Sequence, residues 1–152
     1  MSPSPPSGDA WLLDTNVVTE ILKAAPDAAV LQTLGTRPET SGWISVLTLA
    51  EFAQGVERLS PDHPRRPAFE AQLAEVARRF AGRTLPVDAA VALRFGRLSG
   101  ALTRAGRRPP VIDALLAATA IEHGMTLVTR NVRDVAGTGA RVLDPWREGG
   151  GP

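Results

Sequence analysis

The most informative segment of the sequence is Trp11-Leu12-Leu13-Asp14-Thr15-Asn16. In it a short apolar run ends abruptly in an acid, a hydroxyl and an amide, and apolar Val17 and Val18 follow. This pattern predicts a buried strand that leads almost at once into a helix. Ligands of open α/β sheets bind beyond the carboxyl ends of the strands, so Asp14 is a candidate for chemistry. Because Asp is also a favoured N-cap, a purely structural cap is the alternative.

The composition restricts the class of protein and the kind of metal site. The chain has 152 residues, of which 43% are hydrophobic, and this suits a globular domain with a substantial core. It has no cysteine, which excludes disulfides and thiolate metal sites and leaves oxygen atoms or the two histidines as metal ligands. The net charge of +1 does not by itself indicate a nucleic-acid partner.

The chain is predicted to form one domain with a tail at each end. Residues 1–9 are expected to be a flexible N-terminal tail, residues 10–147 a single domain, and residues 148–152 a flexible C-terminal tail. The N-terminal residues have neither the basic end nor the apolar centre of a secretory signal. No apolar run approaches the roughly 18 residues needed to span a bilayer. We therefore expect a cytoplasmic protein.

Short apolar segments alternate with helical patterns along the chain. The strands are expected at residues 10–13, 43–45, 85–87, 126–129 and 141–143. The helices are expected at residues 15–22, 28–34, 46–59, 67–80, 89–105 and 111–123, with a short turn or helix at 131–135. Asp27 and Asp88 are predicted helix caps, and Gly124 is predicted to close the helix that precedes it. This alternation predicts an α/β fold with a small parallel sheet and helices on both faces.

Two more acids lie in apolar helical segments, where an unpaired carboxylate is costly to bury. Glu51 falls within the first two turns of the helix after the second strand, near the carboxyl edge of the sheet. Asp113 lies in the first turn of a later helix and shares a face with Leu116, Ala117 and Ala120. The structural alternatives are a boundary ion pair with an arginine for Glu51 and a favourable helix-dipole position for Asp113.

A fourth polar group follows the strand at 126–129. Asn131 offers an amide oxygen there, and Asp134 offers a charge one turn later. Together with Asp14, Glu51 and Asp113, one of these residues would complete an oxygen-rich, acidic pocket. Hard oxygen ligands suit Mg²⁺ or Mn²⁺, and clustered carboxylates repel one another unless a cation lies between them.

Four segments follow one another along the chain: Leu13-Asp14-Thr15-Asn16-Val17-Val18, Ile44-Ser45-Val46-Leu47-Thr48-Leu49-Ala50-Glu51, Val111-Ile112-Asp113-Ala114-Leu115-Leu116-Ala117-Ala118-Thr119-Ala120 and Leu127-Val128-Thr129-Arg130-Asn131-Val132-Arg133-Asp134. In this order and spacing they resemble the successive motifs of PIN-domain ribonucleases. The resemblance is closest to the VapC-type and FitB-like toxins of type II toxin–antitoxin pairs. It extends from about Trp11 to Trp146 and includes the ending Leu143-Asp144-Pro145-Trp146.

The resemblance implies a three-layer α/β/α sandwich and a divalent-metal-dependent endoribonuclease. In that family the acids at the positions of Asp14, Glu51 and Asp113 hold Mg²⁺ or Mn²⁺, and metal-activated water hydrolyses the RNA phosphodiester bond. Asp14 and Asp113 would be direct ligands. Glu51 would bind metal or position the attacking water.

Further residues around the acids take their implied roles from the same resemblance. Thr15, Asn16 and Thr129 would orient ligands or contact phosphate, although a helix-start hydroxyl is the alternative for Thr15. The family often carries a fourth acid where this chain has Asn131. A fully occupied second metal site would therefore require Asp134 to compensate.

The resemblance also implies partners. These are a second copy of the chain, in a homodimer, and an adjacently encoded antitoxin that joins a DNA-binding domain to a tail across the active site. A housekeeping RNA-processing nuclease and a non-catalytic binding module are the alternatives within the family.

Two other classes with acids at strand ends are excluded. A haloacid-type phosphatase needs an acid where the chain has Asn16, and a response-regulator receiver needs a late lysine, whereas the only lysine is Lys23.

A stripe of arginines is a further candidate for RNA contact. Arg94, Arg97 and Arg104 lie on one side of the helix predicted after Asp88, and Arg108 continues the stripe. They are candidate contacts for the RNA backbone, and a solvated helix face is the alternative.

Overall fold

The computed structural model describes residues 3–5 and 8–148 of the chain. Within these residues, five strands form one sheet: β1 (Trp11–Leu13), β2 (Gly42–Ser45), β3 (Thr84–Leu85), β4 (Thr126–Val128) and β5 (Arg141–Leu143). The helices are α1 (Thr15–Ile21), α2 (Ala28–Leu34), α3 (Val46–Glu57), α4 (Arg66–Arg79), α5 (Ala89–Arg104), α6 (Val111–Glu122), α7 (Val132–Val135) and α8 (Pro145–Glu148). A single 3₁₀ turn, Glu39–Ser41, precedes β2.

The sheet is parallel throughout, with the strand order β3-β2-β1-β4-β5. The first strand is therefore central, with β2 on one side and β4 on the other. Trp11 lies opposite Gly42 on β2, and Leu13 lies opposite Val128 on β4. All five strands end at the same edge of the sheet, and this confirms the predicted α/β fold with a small parallel sheet.

Two apolar clusters lie on the two faces of the sheet and produce the three layers. Leu12 and Leu127 belong to one cluster, whereas Leu13 and Val128, the next residues along the same strands, belong to the other. This division follows from strand geometry, because successive side chains point to opposite faces. The predicted α/β/α sandwich is therefore confirmed.

Short polar side chains cap the N-termini of several helices next to the sheet. The carboxylate of Asp27 accepts hydrogen bonds from the amides of Ala29 and Val30, and that of Asp88 accepts one from the amide of Val91. Both predicted caps are confirmed. The Ser45 hydroxyl caps α3 in the same way, so β2 passes directly into that helix.

The structure differs from the sequence prediction at several element ends. The third strand ends at Leu85 and excludes Val87, since Pro86 lacks an amide proton for the sheet. The residues after β5, for which no helix was predicted, form α8, which packs against α2. There the Thr33 hydroxyl donates to the carbonyl of Pro145 at 3.3 Å.

The predicted tails are described only in part. Residues 1, 2, 6, 7 and 149–152 lie outside the described residues, so the domain boundaries stay predictions. Asp9, in the predicted N-terminal tail, contacts the fold, because Arg37 donates to its carbonyl and its carboxylate. Across residues 3–5 and 8–148, every helix is too short or too polar to cross a bilayer.

Replacing Leu127 with Ala tests the packing of the sheet. Leu127 is fully buried in the central part of the core, so its truncation should lower the free energy of unfolding by about 2–5 kcal/mol. Leu93 is 62% exposed on α5, and Leu93→Ala should change it by less than about 0.5 kcal/mol. Urea unfolding followed by circular dichroism measures both values. Equal losses in the two variants would contradict this description of the core.

Candidate active site

The three predicted acids line one open pocket of about 470 Å³ at the carboxyl edge of the sheet. Asp14 directly follows β1, Glu51 lies in the second turn of α3, and Asp113 lies in the first turn of α6. We call this the acidic pocket. Its lining residues are Asp14, Thr15, Asn16, Thr19, Glu20, Lys23, Glu51, Ile112, Asp113, Arg130, Asn131 and Trp146.

Asp14 is the most buried of the three acids, with only 4% of its surface exposed. Its Oδ1 accepts a hydrogen bond of 2.7 Å from the Thr15 amide, so it does cap α1. Its Oδ2 accepts one of 2.6 Å from the Thr129 hydroxyl and a longer one of 3.3 Å from the Asn16 amide group. The two interpretations of Asp14 are therefore compatible, because the cap uses one oxygen and leaves the carboxylate at the pocket wall.

Glu51 is held beside Asp14 by two threonines. The Thr15 hydroxyl donates to Oε2 of Glu51, and the hydroxyls of Thr15 and Thr48 lie 3.1 Å apart. Thr15 thus links the first turn of α1 to α3 through its side chain, while its amide bonds to Asp14. The structure therefore gives the Thr15 hydroxyl an orienting contact with an acid rather than a helix-start contact.

Asp113 and Asn131 face each other across the pocket. The Asn131 side-chain amide lies 3.4 Å from Oδ1 of Asp113 and donates to it. The backbone amide of Asn131 in turn donates to the Thr129 hydroxyl at 2.9 Å. Since the same hydroxyl donates to Asp14, Thr129 connects the acid on the central strand with the amide opposite Asp113.

Burial and like charge act on the acids in the same direction. Burial raises the pKa of Asp14, the negative charge of Glu51 raises it further, and the hydrogen bonds from Thr129 and Thr15 oppose the rise. Burial also raises the pKa of Asp113, with smaller contributions from the charges of Asp14 and Asp134. Ionised carboxylates are therefore destabilised in the pocket unless a cation neutralises them.

The donor set fits a hard divalent cation. It consists of carboxylate, hydroxyl and amide oxygens, the ligands that suit Mg²⁺ and Mn²⁺. Within residues 3–5 and 8–148, no three acidic or histidine side chains converge closely enough to form a ready-made metal cluster. Magnesium does not require one, because it usually keeps several waters and binds through one or two carboxylates and substrate phosphates.

The two candidates for the fourth position are separated by the structure. Asn131 lines the acidic pocket, whereas Asp134 is exposed and does not line it. The reason is local, because Asn131 immediately precedes α7 and Asp134 lies within that helix. Asp134 affects Asp113 only through its charge. Asp134 thus lies outside the wall of the acidic pocket, and its predicted part in completing the metal site stays a prediction.

Six residues of the pocket wall were not among the predicted site residues: Thr19, Glu20, Lys23, Ile112, Arg130 and Trp146. Oε2 of Glu20 forms a salt bridge of 2.7 Å with the Lys23 ammonium. Arg130 lies over the ring of Trp146, with its guanidinium carbon 4.3 Å from the ring centre. Arg130 was detectable in principle, because it follows a strand at the same edge as Asp14. Trp146 lies in α8, a helix that the sequence pattern does not predict.

The predicted arginine stripe on α5 lies apart from the acids. Arg94 donates to Glu122 at 2.5 Å, at the opposite end of α6 from Asp113 and about 14 Å along the helix axis. Arg97 and Arg104 are exposed, and none of the three arginines lines the acidic pocket. A role of this stripe in RNA binding stays a prediction, without support from its position.

Comparisons with known sequences agree with this geometry. The sequence profile of the PIN domain matches residues 11–136. The chain is 33% identical to the VapC ribonuclease Y4jK of Sinorhizobium fredii over 136 residues, covering 89% of this chain and 96% of that protein. It is 30% identical to Toxin FitB of Neisseria gonorrhoeae, covering 90% of this chain and 99% of that protein.

Comparisons with solved structures give the same result. The crystal structure of FitAcB from Neisseria gonorrhoeae has a TM-score of 0.79 at 30% identity, covering 90% of this chain and 99% of that one. The structure of FitAB bound to the IR36 DNA fragment has a TM-score of 0.78 at 31% identity, covering 90% of this chain and 95% of that one. The resemblance recognised in the sequence motifs is confirmed.

Replacing Asp113 with Asn tests the electrostatics of the metal-free pocket. Because the folded-state pKa of Asp113 is raised, the folded protein binds more protons than the unfolded chain above the ordinary value of 3.8. The contribution of Asp113 to the free energy of unfolding is therefore fully present below that ordinary value. It is lost as the pH rises through the raised pKa of this carboxyl group. The variant should therefore gain stability relative to the wild type as the pH rises.

Urea unfolding in EDTA at a series of pH values from about 3 to 7 measures this difference. The exposed Asp62, in the loop after α3, provides a matched control, and Asp62→Asn should show no such gain. A relative stability of Asp113→Asn that falls with rising pH would contradict the raised pKa.

Replacing Thr129 with Val tests how the acids are held. The substitution keeps the side-chain shape but removes the hydroxyl that donates to Asp14 and accepts from Asn131. Loss of such a supporting group should weaken divalent-metal affinity by about 10- to 100-fold, measured by titration calorimetry with Mn²⁺. Thr19 lines the same pocket and is exposed, so Thr19→Val should keep the wild-type affinity. An unchanged affinity in Thr129→Val would refute this role.

Proposed function

The chain belongs to the PIN-domain family, in its VapC and FitB toxin group, and we propose that the acidic pocket hydrolyses RNA phosphodiester bonds with Mg²⁺ or Mn²⁺. The protein is accordingly a ribonuclease and the toxic component of a type II toxin–antitoxin pair. The observation that carries the proposal is that Asp14, Glu51 and Asp113 line one open pocket. These acids come from three separate elements that meet at the carboxyl edge of the sheet.

Asp14 and Asp113 are the proposed ligands of the cation. Their carboxylates carry the raised pKa values, so they gain most when a positive charge binds beside them. Thr129 and Asn16 hold the second oxygen of Asp14, which restricts how the carboxylate can rotate. A bound divalent ion would supply Lewis acidity, a lowered pKa of water and stabilisation of the charge that develops on phosphate.

Glu51 is proposed to position the attacking water. Its Oε2 is occupied by the Thr15 hydroxyl, which leaves Oε1 as the oxygen available to accept a hydrogen bond from water. Asn16 and Thr15 lie on the same wall of the pocket and supply amide and hydroxyl groups for phosphate. In this arrangement no histidine or nucleophilic side chain is needed. A covalent enzyme intermediate is therefore not part of the proposal.

Asn131 gives this pocket one carboxylate fewer than the four-acid pattern of the family. It faces Asp113 as a neutral group and offers an amide to that carboxylate. A second ion would therefore be held less tightly than the first. We propose a single well-held divalent ion, with any second ion entering together with the phosphate of the substrate.

Partners and location follow by analogy with relatives. The solved relatives include FitAB with a DNA fragment and VapBC assemblies of other bacteria. For this chain we propose an antitoxin encoded beside it, a homodimer, and action in the cytoplasm, where its RNA substrate is found. A relative from Shigella flexneri is named a tRNA(fMet)-specific endonuclease, but its identity of 26% does not carry that target to this chain.

Replacing Asp14 or Asp113 with Asn tests the proposed chemistry. Each substitution removes a charge that holds the cation, so cleavage of RNA in Mg²⁺ or Mn²⁺ should fall by at least about a hundred-fold. EDTA should abolish wild-type cleavage, and added Mn²⁺ should restore it. Denaturing gel electrophoresis of end-labelled RNA measures the rates, and circular dichroism checks the fold.

Asp62→Asn is the control for this experiment and should cleave at the wild-type rate, since Asp62 is exposed outside the pocket. Wild-type cleavage by the Asp14→Asn protein would overturn the proposed site. Expression in cells tests the biological role. Growth arrest relieved by the neighbouring gene is expected of a toxin, whereas growth without arrest would favour an RNA-processing nuclease.

A further inference from the structure

A second cavity, of about 210 Å³, lies beside the first turn of α6, and three of its eight lining residues are arginines. Arg107 and Arg108 come from the loop between α5 and α6, and Arg133 comes from α7. Asp134 is the only acid among its lining residues. We call this cavity the arginine pocket. Its excess of positive charge makes it suited to an anion.

In the described part of the chain, none of these three arginines forms a salt bridge. The salt bridges among residues 3–5 and 8–148 involve other cations, and none joins Arg107, Arg108 or Arg133 to a carboxylate. Within the described residues, their positive charges are therefore not neutralised by a contacting carboxylate. Arginine binds phosphate in a bidentate, planar geometry, so a phosphate group is the ligand that fits.

The backbone around the arginine pocket is held in a defined shape. The Arg107 amide donates to the carbonyl of Leu102 at 2.8 Å, and Pro109 and Pro110 follow directly. The Arg107 guanidinium occupies the space where a Cβ at position 137 would lie, and Gly137 has a φ of +81° that favours glycine. Because residue 137 is a glycine, the Arg107 guanidinium can pack against the backbone at that position.

The arginine pocket lies next to the acidic pocket. The first turn of α6 separates them, with Ile112 and Asp113 on the acidic side and Pro110 on the other. A third cavity, which includes Asn131 and Arg133 in its wall, shares residues with both pockets. The three cavities therefore form one continuous surface at the carboxyl edge of the sheet. A strand of RNA seated at the acids would reach the arginines by passing the first turn of α6, and a helix with its side chains is about 10 Å across.

We propose that the arginine pocket binds a backbone phosphate of the RNA strand whose scissile bond lies in the acidic pocket. The inference rests on the proposed function, because it assumes RNA in the acidic pocket. It assigns the electrostatic contact with substrate to Arg108, the last arginine of the predicted stripe, together with Arg107 and Arg133. Arg94, Arg97 and Arg104 on α5 are not part of it. Arg97 and Arg104 of that stripe have equal charge but lie on a helix surface that borders none of these cavities.

The double variant Arg108→Gln/Arg133→Gln tests the proposal, with Arg97→Gln/Arg104→Gln as a control of identical net charge. All four side chains are exposed, so both variants should fold normally. Binding of a fluorescein-labelled single-stranded RNA of about a dozen nucleotides is measured by anisotropy in EDTA at several salt concentrations. Loss of one phosphate contact should reduce the slope of log affinity against log salt by about 0.7 in the pocket variant. The control variant should keep the wild-type slope.

Cleavage in Mg²⁺ separates this proposal from the proposed function. The pocket variant should have a lower kcat/KM than the wild type on the long RNA and the same kcat/KM on a dinucleotide, which is too short to reach the arginines. Equal losses of salt dependence in the two variants would overturn the arginine pocket, and so would wild-type salt dependence in the pocket variant. Wild-type protein that binds RNA without cleaving it would refute the proposed function. The slopes of log affinity against log salt would still test whether the arginine pocket binds a phosphate.

Discussion

The hydrogen bond of 2.6 Å from the Thr129 hydroxyl to Asp14 joins the ends of two neighbouring strands, and the site depends on it. It exists because β1 is central in the sheet and β4 lies directly beside it. The Thr15 amide satisfies the other oxygen of Asp14, so a nearly buried carboxylate is accommodated without a positive side chain as its hydrogen-bond partner. The Asp14 side chain therefore caps α1, bonds to the end of the neighbouring strand and lines the acidic pocket.

The same arrangement is unfavourable to the folded protein until a cation binds. Burial and neighbouring charges raise the pKa of Asp14 and of Asp113, which means that their ionised forms lose stability on folding. The hydrogen bonds from Thr129, Thr15 and Asn131 offset only part of this cost. A site with this balance gains free energy from a divalent ion, and affinity for the ion is thereby linked to the stability of the fold.

Charge is distributed unevenly around the carboxyl edge of the sheet. The acids converge on one side of the first turn of α6, and unpaired arginines converge on the other. Neighbouring regions of opposite charge suit a polyanion such as RNA. The acidic pocket would hold a metal ion for the phosphate that is cleaved, and the arginine pocket would contact an adjacent phosphate directly. The low net charge of +1 conceals this division, because it sums over the whole chain.

The amino-acid sequence predicts the alternation of strands and helices, the caps at Asp27 and Asp88, and the three acids of the pocket. These features are local, because apolar periodicity and strand ends can be recognised within a few residues. Three outcomes required the folded structure: Asn131 rather than Asp134 lines the pocket, Arg94 pairs with Glu122, and α8 brings Trp146 to the pocket wall. Those outcomes depend on how helices pack against one another, and residues far apart in the chain set that packing.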